Sequence, residues 1–210
     1  GNPMITTLYG TIENLYIENY KHNTTSNNAG IVFRTQTNSL INNIHIRNIQ
    51  LGASQHIGGI VGYGAGGSIT NSSVTNLSLY NNIQNSSNLR IGGLVGYVNS
   101  GTRIQNSYVQ NSNIETPDHY SIQAIGGVVG YLNSGTVQNV YATGSIITSA
   151  SNVGGIVGLN ANSIQNVYST VNIYSKGSYI GGIVGNIVEG SSTVSIRNTL
   201  ALGDVYTSSD

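Results

Sequence analysis

Ile57-Gly58-Gly59-Ile60-Val61-Gly62-Tyr63 decides the fold, because the chain writes it five times. It returns as Ile91-Gly92-Gly93-Leu94-Val95-Gly96-Tyr97 and as Ile125-Gly126-Gly127-Val128-Val129-Gly130-Tyr131. The last two copies are Val153-Gly154-Gly155-Ile156-Val157-Gly158-Leu159 and Ile180-Gly181-Gly182-Ile183-Val184-Gly185-Asn186. Successive copies are offset by 34, 34, 28 and 27 residues, and a worn copy, Ala29-Gly30-Ile31-Val32-Phe33, precedes them. A period of about 20–50 residues marks stacked units, each of which buries its apolar face only against its neighbours.

A second phrase follows each copy and also stands once before the first. Ile12-Glu13-Asn14, Ile41-Asn42-Asn43, Ile69-Thr70-Asn71 and Ile104-Gln105-Asn106 continue as Val137-Gln138-Asn139, Ile164-Gln165-Asn166 and Ile196-Arg197-Asn198. An Asn thus stands two residues after an aliphatic in every unit. The segments around it alternate at period two, are rich in β-branched residues and are separated by Gly, Asn and Ser, as short strands and turns are. No stretch carries a helical period.

The expected fold is therefore all-β, a parallel β-solenoid of about seven coils of 27–34 residues. Residues 1–28 read as an atypical first coil and 29–210 as the repeats, together one elongated domain whose ends look like cut edges of a longer protein. Equivalent residues then form columns spaced by about 4.8 Å. The column Asn14, Asn43, Asn71, Asn106, Asn139, Asn166 and Asn198 is expected at a buried corner, its amides bonding up and down the stack. Beyond that corner Val140, Ala142, Gly144 and Ile146 should point in, and Tyr141, Thr143 and Ser145 out. For the Gly-Gly strand two readings stand: both faces covered, or Gly58 and Gly62 forming a flat outer surface.

Composition removes several functions. Charged residues make up 7% of the chain with a formal net charge of zero, against about 25% in ordinary domains. Nucleic acid and membrane insertion are not expected, since there is neither a basic footprint nor a long apolar run. With no Cys, disulfides and thiolate metal sites are absent. The apolar 38%, placed at regular positions, separates the chain from disordered Asn- and Ser-rich tracts.

The repeat resembles the GLUG motif, a Gly-Gly-Leu-Val-Gly core, a short turn and an Ile-x-Asn-x-Tyr-Ala-x-Gly segment. The copy nearest that pattern is Gly126-Gly127-Val128-Val129-Gly130 followed by Val137-Gln138-Asn139-Val140-Tyr141-Ala142-Thr143-Gly144. The resemblance spans roughly 29–210 and departs from the pattern in the first coil and in the two long ones. It implies an extracellular β-solenoid of the kind found in bacterial surface adhesins and beside the catalytic part of some secreted metallopeptidases. It carries no catalytic residues with it.

Enzyme motifs fare poorly. Gly62-Tyr63-Gly64-Ala65-Gly66-Gly67 satisfies G-x-G-x-x-G, yet no helix follows to receive a pyrophosphate. His22, His45, His56 and His119 lack metal-ligand spacing, so no metal or other cofactor is expected. Glu115 and Asp118 are the one close carboxylate pair, the minimum for a glycan-cleaving β-helix enzyme; a solvated turn is the simpler account. The triplets at Asn23, Asn71, Asn76 and Asn85 satisfy the glycosylation pattern but arise readily in such a composition.

Two features are left for binding. Tyr108, Tyr141 and Tyr168 should stack in one outward row, able to meet sugar rings or a partner's pocket. The long coils carry insertions at about 81–90 and 115–124, which bring Arg90, Glu115, Asp118, His119 and Tyr120 to one side of adjacent coils. The expectation is a non-enzymatic stalk and adhesion surface on a bacterial cell, facing a host or neighbouring-cell glycan or protein. A metallopeptidase spacer is the alternative, and a polysaccharide-active β-helix enzyme a third reading. Unpaired strands at the two ends could also pair copies of the chain.

Overall fold

Three parallel β-sheets of seven, ten and six strands, one on each side of the coil, run the length of the molecule. The computed structural model describes residues 3–25, 27–53, 55–79, 88–116, 122–189, 191 and 194–208. Among these there is no helix, and the chain is a parallel β-solenoid of about six full turns. The seven expected coils correspond to seven levels in two sheets and six in the third.

Each coil is read in the order entry, return, long. The entry sheet stacks Asn28–Ala29, His56–Gly58, Leu89–Gly92, Ile122–Gly126, Asn152–Gly154 and Tyr179–Gly181. The return sheet runs from Ile5–Leu8 and Val32–Thr35 through Val61–Gly64, Val95–Val98, Val129–Leu132 and Val157–Asn160 to Val184–Ile187. The long sheet contains Leu40–Gly52, Thr102–Glu115, Gly135–Thr148 and Ser163–Ser175, with two shorter strands each in the first, third and last coils. Repeat spacing sets the register, so Ile57 pairs with Ile91 and Val61 with Val95, and Val137 pairs with Ile164.

The Gly-Gly phrase is a bend between two strands, and this corrects the reading of it as one strand. In the third coil the entry strand ends at Gly58, the chain turns through Gly59 and Ile60, and the return strand starts at Val61. The bend points inward. A Cβ on Gly59 would stand 2.6 Å from a methyl of Val74 on the long sheet, so the corner is wedged into the core. Entry and return strands then lie back to back with backbone in contact: a Cβ at Gly96 would meet Ile57 N at 2.7 Å. No side chain fits there, so glycine recurs, and Gly58 and Gly62 are buried instead of forming an outer surface.

Ile57, Ile60 and Val61 are fully buried in a column that repeats at Ile91, Leu94 and Val95 and at Ile125, Val128 and Val129. The long sheet supplies the facing aliphatics, including Ile44, Ile46, Val137, Ile146, Ile164 and Ile173. Each such side chain contributes about 1.5–3 kcal/mol on burial. As expected, Val140, Ala142 and Ile146 are buried, whereas Gly144 is half-buried at a φ of 130°.

The Asn column is a corner, but it faces solvent. Asn14, Asn43, Asn71, Asn106, Asn139, Asn166 and Asn198 all have φ between 50° and 57° and are exposed, which corrects the expectation of burial. In this left-handed conformation the chain turns sharply, and Asn tolerates it better than other residues with a Cβ. Its amide is then thrown outward along the stack. Asn43 donates to Asn14, Asn139 to Asn106, Asn166 to Asn139 and Asn198 to Asn166, at 2.8–2.9 Å. Asn71 breaks the pattern by donating to Asn42.

A second column went unread: Asn19, Asn48, Asn76 and Asn111, five residues further on, also lie at positive φ. Asn48 donates to Asn19 and Asn76 to Asn48. This second corner ends in the fifth coil. Val109 pairs with Ala142 and Ser112 with Gly144, so one residue drops out of the long strand. From there Tyr141 to Thr148 lies in unbroken register on Tyr168 to Ser175, as one flat facet.

Candidate functional site

Two surfaces of this frame carry the aromatic residues. The first is the outer face of the long sheet. Tyr108, Tyr141 and Tyr168 occupy one register position in consecutive coils, which Leu200 continues. Their ring centroids are 4.8 and 4.9 Å apart, with planes within 1° and 6° of parallel. These separations match the rise between coils, so each ring is stacked on the next along the axis. Faces are thereby given to one another, and ring edges and hydroxyls are what solvent meets. The shielding of Tyr141 and the phenols on either side raise its pKa.

Earlier coils change the column to His45 and Ser73. His45 Nδ1 lies 2.8 Å from the Ser73 hydroxyl, and Nε2 lies 2.9 Å from Asn43 Oδ1, which ties the Tyr column to the Asn ladder. Across the facet a second rail starts at Ile147 and continues as Tyr174 and Tyr206, whose rings stack at 4.9 Å. Thr143, Ser145, Thr170 and Asn172 fill the strip between the rails. Ile147, Tyr168, Tyr174, Leu200 and Tyr206 are exposed, making this an extended apolar surface, with Glu115, Lys176 and Asp204 as the charges at its border. A hollow of about 360 Å³ lies beside Ile147, Tyr174 and Tyr206.

The second surface is the groove left where the entry and return strands diverge outward from the Gly-Gly bend. Sequence reasoning missed it. Tyr63, Tyr97 and Tyr131, the residues that follow Val-Gly in three copies, form its return wall. Asn28, His56 and Arg90 share one register position on its entry wall. Tyr63 meets Tyr97 edge-on at 5.3 Å, and Tyr97 stacks on Tyr131 at 5.2 Å. The repeated Val-Gly-Tyr spacing was the available signal. What hid it was the reading of the Gly-Gly phrase as one strand, which places Tyr63 far from His56.

Arg90, one of the expected binding residues, packs within this groove. Its Cζ lies 4.2 Å from the Tyr97 ring centroid and 5.2 Å from that of Tyr131, and its Nε donates to Gln123 Oε1 at 2.6 Å. Cation–π contact of this kind is worth about 0.5–2 kcal/mol. Arg90 therefore closes the groove between the fourth and fifth coils. His56 sits 5.6 Å from the Tyr63 ring and 5.2 Å from Tyr97. Burial, and then the charge of Arg90, lower its pKa to about 4 against a weaker opposing effect from the Gln55 backbone, so His56 is neutral at pH 7.

Of the other expected residues, Glu115 is exposed at the end of its long strand, paired in register with Ile147. Asp118, His119 and Tyr120 lie outside the described residues, as does most of the 81–90 insertion. Both insertions join the long sheet to the entry sheet, after Leu79 and after Glu115, so their anchor points neighbour each other in adjacent coils. Among the described residues no three His, Asp or Glu side chains group to hold a metal ion. No described helix is long and apolar enough to cross a membrane.

Comparison with known proteins adds one finding. No curated protein matches the chain. The family model described as the GLUG motif matches residues 53–80, 122–147 and 149–174. Each range starts at or just before an entry strand, passes through the inward bend and the return strand, and ends in the long sheet. The motif is thus one coil of this solenoid, and the chain carries GLUG repeats in at least three of its coils.

Proposed function

We propose that this solenoid is a non-catalytic, extracellular segment of a bacterial surface protein, serving as a stalk and as an adhesion surface for a neighbouring-cell or host partner. The observation that carries the reading is the outer face of the long sheet, where Tyr168 and the Ile147–Tyr174–Tyr206 rail stand exposed and Tyr108 and Tyr141 half-buried, with a polar strip between the two rails. A rigid face of this kind costs little side-chain entropy on binding, because stacking already fixes the rings. Ring edges and phenol hydroxyls favour broad contact with a protein or glycan surface over insertion of a single sugar between rings. The partner binds with little dependence on salt, since charge is scarce on both rails.

The test is binding of the chain to intact cells and to arrayed glycans and surface proteins. Tyr108, Tyr141 and Tyr168 changed together to Ser should weaken binding by about tenfold or more, while circular dichroism and the unfolding transition show the solenoid intact. Equal binding by the folded triple variant would end the assignment of adhesion to this facet.

A further inference from the structure

The groove is not filled along its whole length. Arg90 closes it between the fourth and fifth coils, but between the second and third coils a cleft of about 250 Å³ remains, lined by Asn28, Phe33, Arg34, Gln55, His56 and Tyr63, with Asn27 at its edge. Two of its polar groups have no hydrogen-bond partner: Asn28 Oδ1 and His56 Nδ1, in side chains only 6% and 4% exposed. A buried polar atom without a partner costs about 1–3 kcal/mol, so such atoms mark a place where something else completes the bonding.

The chemistry of that partner follows from what lines the cleft. Asn28 Oδ1 only accepts, and neutral His56 can accept at Nδ1 when its proton is on Nε2. Asn28 Oδ1 calls for a donor and His56 Nδ1 for a donor or an acceptor according to its tautomer, and a hydroxyl can be either. Arg34 stands at the rim, exposed, with its Cζ 4.9 Å from the Tyr63 ring. Its register neighbours are Thr7 and Tyr63, and no acid lines the cleft. Its guanidinium is thus available to a carboxylate, which it can hold through two parallel bonds. Phe33 and Tyr63 supply the apolar wall. The volume lies just below the range of about 300–1,000 Å³ typical of sites for larger ligands.

We infer that this cleft binds an acidic monosaccharide unit, its carboxylate on Arg34 and its hydroxyls on Asn28 and His56. The inference deepens the extracellular adhesion reading by adding a second contact, a receptor for acidic glycan ends, separate from the tyrosine facet.

The experiment is ligand-observed NMR titration of the intact chain with galacturonate, glucuronate and N-acetylneuraminate, alongside glucose and acetate. At least one acidic sugar should bind, with glucose and acetate at least about tenfold weaker. Arg34→Gln should lower acidic-sugar affinity by about tenfold or more and Arg34→Lys by less. Because Arg34 is exposed, both variants are expected to fold; Asn28→Leu, which removes the acceptor, is the second probe. Absence of binding by all three acids overturns the inference. So does acetate binding as well as they do, or affinity unchanged in Arg34→Gln and Asn28→Leu. Loss of sugar binding in Arg34→Gln with cell adhesion retained keeps the cleft and leaves adhesion to the facet; loss of adhesion only in the tyrosine variant separates the two the other way.

Discussion

Five coils turn both at a Gly-Gly bend and at an Asn corner, and the two turns obey different physics. The bend is buried, and its glycines are imposed by neighbouring backbone: Gly126 has Gly158 N and Ile156 O within 2.8 Å of where a Cβ would stand, and Val129 O closer still. The Asn corner is exposed, and its residue is imposed by one dihedral angle, near 55° at Asn139 and its equivalents. Position in the fold decides how freely each can vary. The clear Gly-Gly bends recur in five coils, whereas the second Asn corner is dropped after Asn111 and the long strand runs flat. Dropping it creates the facet that carries Tyr141 and Tyr168 on one rail and Ile147 and Tyr174 on the other. Variation at the exposed turn therefore sets the binding face, while the buried turn holds coil against coil.

The largest effect should come from breaking the bend. Gly126→Ala is expected to cost about 3–5 kcal/mol, because backbone has to move in two coils. Gly10→Ala, with open space around it, should be neutral or gain a few tenths of a kcal/mol through the unfolded chain. Urea unfolding of the two variants makes the contrast; similar midpoints would mean that the glycines are not held by backbone contact.

Next in size is the mouth of the groove. His56 has a pKa of about 4 in the folded chain, against 6.5 for an unperturbed imidazole, with burial as the leading cause. The unfolded chain then takes up the proton first as pH falls. Stability is full above about pH 6.5, declines between 6.5 and 4 and levels off below, with a total loss of up to about 3 kcal/mol. Nearby Arg90 stays cationic throughout this window and does not alter the sign. His56→Gln should flatten this part of the curve; an unchanged slope would show that His56 is not shielded.

The Asn corner should be the mildest to break. Asn139→Ala retains a Cβ at positive φ and loses the amide bonds to Asn106 and Asn166, for about 2 kcal/mol. Asn139→Gly accepts the angle and loses only the ladder, for below about 1 kcal/mol. Thermal unfolding separates them, and equal losses would shift the weight from the dihedral angle to the ladder.

Much of this was legible in the residues. Periodic Gly-Gly and Asn phrases determined a stacked all-β solenoid, its register and its inner columns, because a repeat fixes which residue lies above which. Period-two alternation determined that Tyr108, Tyr141 and Tyr168 share an outer column, since a strand offers only two faces. The direction of each turn was left to the tertiary structure. Whether Gly59 and Ile60 bend outward or into the core depends on the long sheet opposite, which local sequence does not describe. That inward bend brings His56 and Arg90 onto Tyr63, Tyr97 and Tyr131, forms the groove, and leaves Asn28 Oδ1 and His56 Nδ1 without hydrogen-bond partners. Ring orientation was likewise settled only by packing: at the spacing of the coils the tyrosines lie flat on one another, and they present edges, not faces, to whatever they meet.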